Sequence, residues 1–260
     1  MSVNDLFHIK NKSATTTLSV ESLRFSQFYF LAICLFYAAS QDLKILSINN
    51  SLIDFNNQAE VFNKIAESEG VNATWSKRTQ LGRTLLFHYN DPMSKTVVAS
   101  APWDVIILQE LSNLPRVNQE IFMETVKLWK LYIMENCPNK EVTIILPMNW
   151  AYSTEWDNYA NENKKLRNSY ETVVRDIPGI KICYVGQAYQ DIFDKKGAEQ
   201  TGALLFTDDR HPTMAATYLA ACMEYSLITG KKPTDIKYVP EGVTAEDARF
   251  LREIAAENMK

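Results

Sequence analysis

The sequence predicts an α/β fold, a three-layer α/β/α sandwich around a mostly parallel central sheet. Three observations carry this. Short continuous apolar runs, such as Val105-Ile106-Ile107-Leu108 and Val142-Thr143-Ile144-Ile145-Leu146, are what strands covered on both faces require. They alternate along the chain with segments of helical periodicity, the pattern of strand–helix units. No Pro-, Gly- or Ser-rich linker divides residues 41–260, so they form one domain, preceded by a leader over residues 1–40.

The elements follow in order. Leu43-Lys44-Ile45-Leu46-Ser47-Ile48 is the first strand, ending in Asn49-Asn50-Ser51. Ala59, Phe62, Ile65 and Ala66 then mark one face of a helix that stops at Gly70. Residues 71–76 are the second strand and 104–108 the third. Ile121, Phe122, Thr125, Leu128, Trp129 and Ile133 recur at helical spacing through 118–135. Residues 142–146 form a strand closed by Pro147, 158–175 a helix, and 180–185 the last strand. Helices are expected over 187–195, from about Pro212 to Thr229 with a stop at Gly230, and over 244–258. In such a sheet the ligand lies beyond the carboxyl ends of the strands. That rim gathers residues 49–51, 109–112 and 148–150, and the loop 207–211 reaches it from the far end of the chain.

The totals narrow the function. The 260 residues are 46% hydrophobic, enough for a large core, and carry a net charge of −4. The first 40 residues are slightly basic, so the remaining body is more acidic than the whole. It has no general attraction for polyphosphate, and nucleic acid is not an expected partner. Residues 28–37 are apolar, follow Arg24 and precede Ala38-Ala39-Ser40, the form of an export signal rather than of a membrane span. An exported location is therefore expected, with no membrane span left after the leader. Beyond the leader, Cys137, Cys183 and Cys222 are an odd number without CxxC spacing; buried free thiols are expected, one disulfide being the alternative in an exported protein.

Only three histidines exist, and His8 lies in the leader, so a catalytic imidazole is His88 or His211. Asp208 precedes His211 by three residues, and on a turn that spacing brings a carboxylate to Nδ1. Such a contact fixes the tautomer and stabilises the cation formed when Nε2 takes a proton. The plainer alternative is a helix start that Asp208 or Asp209 caps, with Pro212 at the first helical position. Ser51, directly after the first strand, stands where a nucleophile activated by a base is useful, or is a turn serine. Gly82 offers a backbone N–H to a developing oxyanion or makes a turn, and Gln109 offers a side-chain amide.

In this order the four blocks resemble the SGNH (GDSL-type) hydrolase superfamily, with its flavodoxin-like fold. They read Ile48-Asn49-Asn50-Ser51, Leu81-Gly82-Arg83-Thr84-Leu85, Ile107-Leu108-Gln109-Glu110-Leu111-Ser112 and Asp208-Asp209-Arg210-His211-Pro212. The chain is similar to an exported branch in which Leu-Gln-Glu-x-Ser replaces the usual Gly-x-Asn-Asp. The resemblance implies a serine esterase working through an acyl-enzyme. Ser51 would be the nucleophile, His211 the general base and then acid, and Asp208 the residue that orients it. The Ser51 and Gly82 N–H groups and the Gln109 side chain would form the oxyanion hole. It implies no metal and no organic cofactor.

The blocks depart from the superfamily at two points. Asn49 stands where a Gly is usual, and Gln109 where an Asn is usual. Other residues have two readings each. His88 is structural or a contact at the pocket rim, and no third ligand can be named for a zinc site with His211. Ser112 is a rival nucleophile. Glu110 is a buried carboxylate near the substrate or a loop charge. Trp150, Tyr152 and Trp156 either offer an aromatic face to a sugar or pack over the core. The expected substrate is a small-molecule or carbohydrate ester, with Glu110 and Trp150 as contacts. The alternative is a non-catalytic carbohydrate-binding or interaction protein on the same scaffold.

Overall fold

A computed structural model describes residues 42–259 of the protein. The apolar segment expected as an export signal lies outside the described residues. Five strands form one sheet in the order β2-β1-β3-β4-β5, every neighbouring pair parallel. They are β1 (Leu43–Asn49), β2 (Ala73–Thr79), β3 (Val105–Leu108), β4 (Thr143–Pro147) and β5 (Ile180–Cys183). This is the flavodoxin-like order, and the chain reverses direction across the sheet between β1 and β3.

Strand pleating sends alternate residues to opposite faces, which yields two apolar clusters. Ile45, Val105, Ile107 and Ile145 face α2 (Gln58–Ser68), α8 (Val185–Leu205), α9 (Met214–Thr229) and α10 (Ala245–Glu257). Leu46, Ile48, Ile106, Leu108, Ile144 and Leu146 face the other layer. That layer contains α3 (Leu85–Asn90), α4 (Pro92–Ala99), α6 (Gln119–Asn136) and α7 (Tyr159–Asp176). One-turn helices α1 (Ser51–Asp54) and α5 (Leu114–Val117) follow β1 and β3 at the rim. No described helix is long and apolar enough to cross a membrane. Cys137, Cys183 and Cys222 are buried free thiols.

Several boundaries differ from expectation for local reasons. Helices α3 and α4 were not foreseen; they are short and start at side-chain caps. Thr84 Oγ1 accepts from the Phe87 amide, and the Asp91 carboxylate accepts from the Met93 and Ser94 amides. β5 ends at Cys183, because Val185 already opens α8. That helix runs to Leu205 through a break at Gly197, whose φ of 74° a glycine tolerates. Helix α9 begins at Met214 rather than Pro212, with Thr213 as its N-cap. Pro212 instead bridges antiparallel to Phe206. His211 therefore sits on a closed loop, not at a helix start.

Candidate active site

The chain leaves β1 at Asn49, and Asn50 caps α1 with its side-chain oxygen on the Leu52 amide. Ser51 is the first residue of that turn, at the carboxyl rim of the sheet beyond β1. From the opposite end of the sequence, the loop after α8 brings His211 to it: Nε2 lies 2.9 Å from Ser51 Oγ. His211 Nδ1 lies 2.7 Å from Asp208 Oδ2. A carboxylate only accepts, so Nδ1 carries the proton and Nε2 is the acceptor for the serine hydroxyl. Asp208 caps no helix. Its Oδ1 accepts from the Arg210 and His211 amides at 2.8 and 2.7 Å, a turn that fixes the Asp-to-His spacing. Partial burial raises the Asp208 pKa, but those two bonds and His211 itself outweigh it and hold the carboxyl at about 2.

The 208–211 loop is held from beneath by the segment after β4. Trp150 Nε1 donates to Arg210 O at 2.9 Å, and Ser153 donates through its amide to Asp209 O and through Oγ to Asp208 O. The Phe55 ring stacks on the His211 imidazole, centroids 4.9 Å apart and planes inclined 17°.

Gln109 is 2% exposed. The Asn50 amide is a donor, so the side-chain atom it meets at 3.3 Å is Oε1. That leaves Nε2 with no protein partner among the described residues. Asn50 Nδ2 donates in turn to Arg83 O and Glu110 O, tying three rim loops together. Gly82 occupies a turn with φ +65°, and an added Cβ would meet nothing within 4 Å; backbone sign, not crowding, requires the glycine. Neither the Ser51 nor the Gly82 amide has an acceptor among the described residues. A cleft of about 650 Å³ is lined by Ser51, Phe55, Leu81, Gly82, Leu111 and His211, among others.

The remaining sequence candidates take other roles. Asn49 is an extended strand residue, so its position needs no glycine; its side chain accepts from Ser47 and Thr79 hydroxyls. His88 is fully buried. Its Nε2 donates to the Asn49 carbonyl at 3.1 Å, leaving Nδ1 to the Ser94 hydroxyl at 2.9 Å. Burial lowers its pKa, and it is a structural brace behind the nucleophile strand. No cluster of three metal-ligating side chains occurs among the described residues. Ser112 lines the cleft, but its hydroxyl pairs with Tyr152 rather than with a base.

Glu110 and Trp150, expected at the substrate, do not line the cleft. Glu110 is 1% exposed, its carboxylate taken up by the Leu85 and Leu111 amides. Trp150 stacks on Tyr189 at 4.4 Å beneath the 208–211 loop, and Trp156 packs on Phe193 and Tyr159. Trp150 and Trp156 thus pack against the core, while Tyr152 is half-buried with Arg210 over its ring. Asn149 was not singled out by sequence: its buried Nδ2 donates to the carbonyls of Glu110 and Ser112, holding the third rim loop. Gly186 lets α8 approach, since a Cβ there would fall 2.0 Å from Asn149 O.

The same fold, a parallel sheet of this order between two helical layers, occurs in solved structures that include SGNH-type hydrolases. Among solved structures, the chain is similar to a DUF4886 family protein from Bacteroides uniformis, at TM-score 0.72 and 19% identity, covering 84% of this chain and 94% of that one. A protein from Slackia heliotrinireducens, assigned provisionally to the SGNH hydrolases, matches at TM-score 0.60 and 16% identity over 72% and 98%. The lipase/acylhydrolase from Enterococcus faecalis matches at TM-score 0.54 and 12% identity over 75% and 99%. No family model and no curated protein matches the sequence. The kinship these identities support is one of fold.

Proposed function

We propose that this protein is a serine esterase acting through an acyl-enzyme, with Ser51 as nucleophile, His211 as acid–base and Asp208 as its orienting carboxylate. The observation that carries the proposal is the unbroken hydrogen-bond chain from Ser51 Oγ through the imidazole to Asp208, at 2.9 and 2.7 Å. Ser51 Oγ attacks the ester carbonyl as His211 Nε2 takes its proton. The imidazolium so formed is stabilised by Asp208, and Phe55 lies against its face. The tetrahedral oxygen receives the Ser51 and Gly82 N–H groups and Gln109 Nε2, donors that have no protein acceptor among the described residues. His211 then returns the proton to the departing alcohol, and water repeats the sequence to release the acid. The residues named supply every proton movement this route needs.

The cleft lining favours an ester with an apolar portion. Phe55 and Leu81, large side chains 49% and 65% exposed, flank the nucleophile. A carbohydrate alcohol loses the support of an aromatic platform, because Trp150 and Trp156 face inward. Export remains a proposal resting on residues 1–40 alone. Hydrolysis of p-nitrophenyl esters tests the mechanism. Ser51→Ala is expected to lower kcat by about 10⁴-fold or more without changing the fold; a variant that keeps wild-type turnover contradicts it.

A further inference from the structure

We infer that Glu110 is the positioning residue of the oxyanion hole, its buried carboxyl locking the Gly82 loop and the Gln109 loop into one arrangement; this rests on the esterase reading above. The side chain runs away from the cleft. Its Oε1 accepts two backbone N–H groups, from Leu111 at 2.7 Å and from Leu85 at 3.1 Å. Leu85 is the first residue of α3 and closes the 80–84 loop that carries Gly82. Leu111 continues the strand exit that carries Gln109.

The 80–84 loop has few other anchors. Its upstream end is fixed by the Gln80 amide on Asn49 O, and an internal bond joins Arg83 N to Gln80 O. Downstream it is held by Asn50 Nδ2 on Arg83 O, and at Leu85, which is fully buried, by Glu110 on the amide and Trp129 Nε1 on the carbonyl. Glu110 also offers its own carbonyl to Asn50 Nδ2 and Asn149 Nδ2, so it is bonded to the loops after β1, β2, β3 and β4. A residue with that reach sets where Gly82 N and Gln109 Nε2 stand relative to each other and to Ser51.

The position is costly for folding, which points to a role beyond stability. Glu110 Oε2 is buried with no partner among the described residues. Burial of an acid with an unpaired oxygen is unfavourable. It pushes the Glu110 pKa up to about 7, against the two backbone bonds that lower it. An apolar side chain of the same volume would fill the space without that cost, but would leave the Leu85 and Leu111 amides unsatisfied.

Two substitutions in the full-length protein separate positioning from packing. Glu110→Gln keeps a carbonyl oxygen for both amides, whereas Glu110→Met keeps the volume and removes the acceptor. The Met variant is expected to lose kcat by about 10²-fold, the scale of one mispositioned oxyanion donor, with KM within about threefold of wild type. The Gln variant is expected to restore kcat to within about fivefold. If the Met variant fails to fold, Glu110→Asp carries the test, because its shorter carboxylate cannot reach Leu85 N; it should show the same selective loss of kcat. The inference is overturned if the Met or Asp variant keeps wild-type kcat, or if Gln and Met lose kcat equally and in step with thermal stability. A wild-type protein inert toward esters would instead sink the esterase reading, and this inference with it.

Discussion

The imidazole of His211 is held by three separate devices, and each can be broken by one side chain. Asp208 grips Nδ1 and, through its second oxygen, the two backbone amides of the turn; Trp150 supports the loop from below; Phe55 covers the ring face. Replacing Asp208 by Asn puts an amide opposite Nδ1 and favours the tautomer whose proton is on Nε2, facing Ser51. The expected result is a fall in kcat of about 10⁴-fold with the fold intact, measured by ester hydrolysis beside circular dichroism. A loss under tenfold would show that the carboxylate does not set the tautomer. Much of this was legible from sequence, because three histidines leave little choice and the three-residue Asp-to-His spacing is local. The orientation of Gln109 was not, since it depends on the Asn50 amide 59 positions away. Nor were the inward turns of Glu110 and Trp150: both follow strands, and which side a residue takes just beyond a strand end is set by packing rather than by pattern.

At the scale of elements, helix α9 follows the catalytic loop directly and anchors its downstream end in the core. Residues 215–226 are all buried, so the helix is apolar nearly all round and sequence periodicity could place it but not orient it. It carries a buried acid: Glu224 Oε2 accepts from Gln58 Nε2 of α2 at 2.6 Å, while Oε1 has no partner among the described residues. Burial pushes the Glu224 pKa to about 8, with the Gln58 bond pulling the other way. Below the ordinary carboxyl range both folded and unfolded chains hold this proton. Between about 4.5 and 8 only the folded chain does, so raising pH through that window favours unfolding, by at most about 1.4 kcal/mol per pH unit. Glu224→Gln removes that dependence. Melting temperatures from pH 5 to 9 should show the variant gaining on wild type as pH rises; a constant difference would contradict the buried acid. Short elements were the least legible. Helices α3 and α4 are defined by Thr84 and Asp91 caps, and their apolar stripes are too brief to register as periodicity.

For the whole molecule, the sheet order does the work of assembly. Placing β1 beside β3 in a parallel sheet brings the loops after both to one edge, and α8, broken at Gly197, returns the chain to that edge before α9 begins. The continuous apolar runs made the sheet readable in sequence. The convergence of residues 51, 82, 109 and 211 was readable only through the resemblance, since no local pattern encodes a separation of 160 positions. Mass-spectrometric mapping of a fluorophosphonate probe is the direct test of that convergence. One covalent adduct on Ser51, absent from Ser51→Ala and strongly slowed in His211→Ala, is the predicted result. A folded protein that takes up no probe at Ser51, or takes it up at Ser112 instead, would contradict the account.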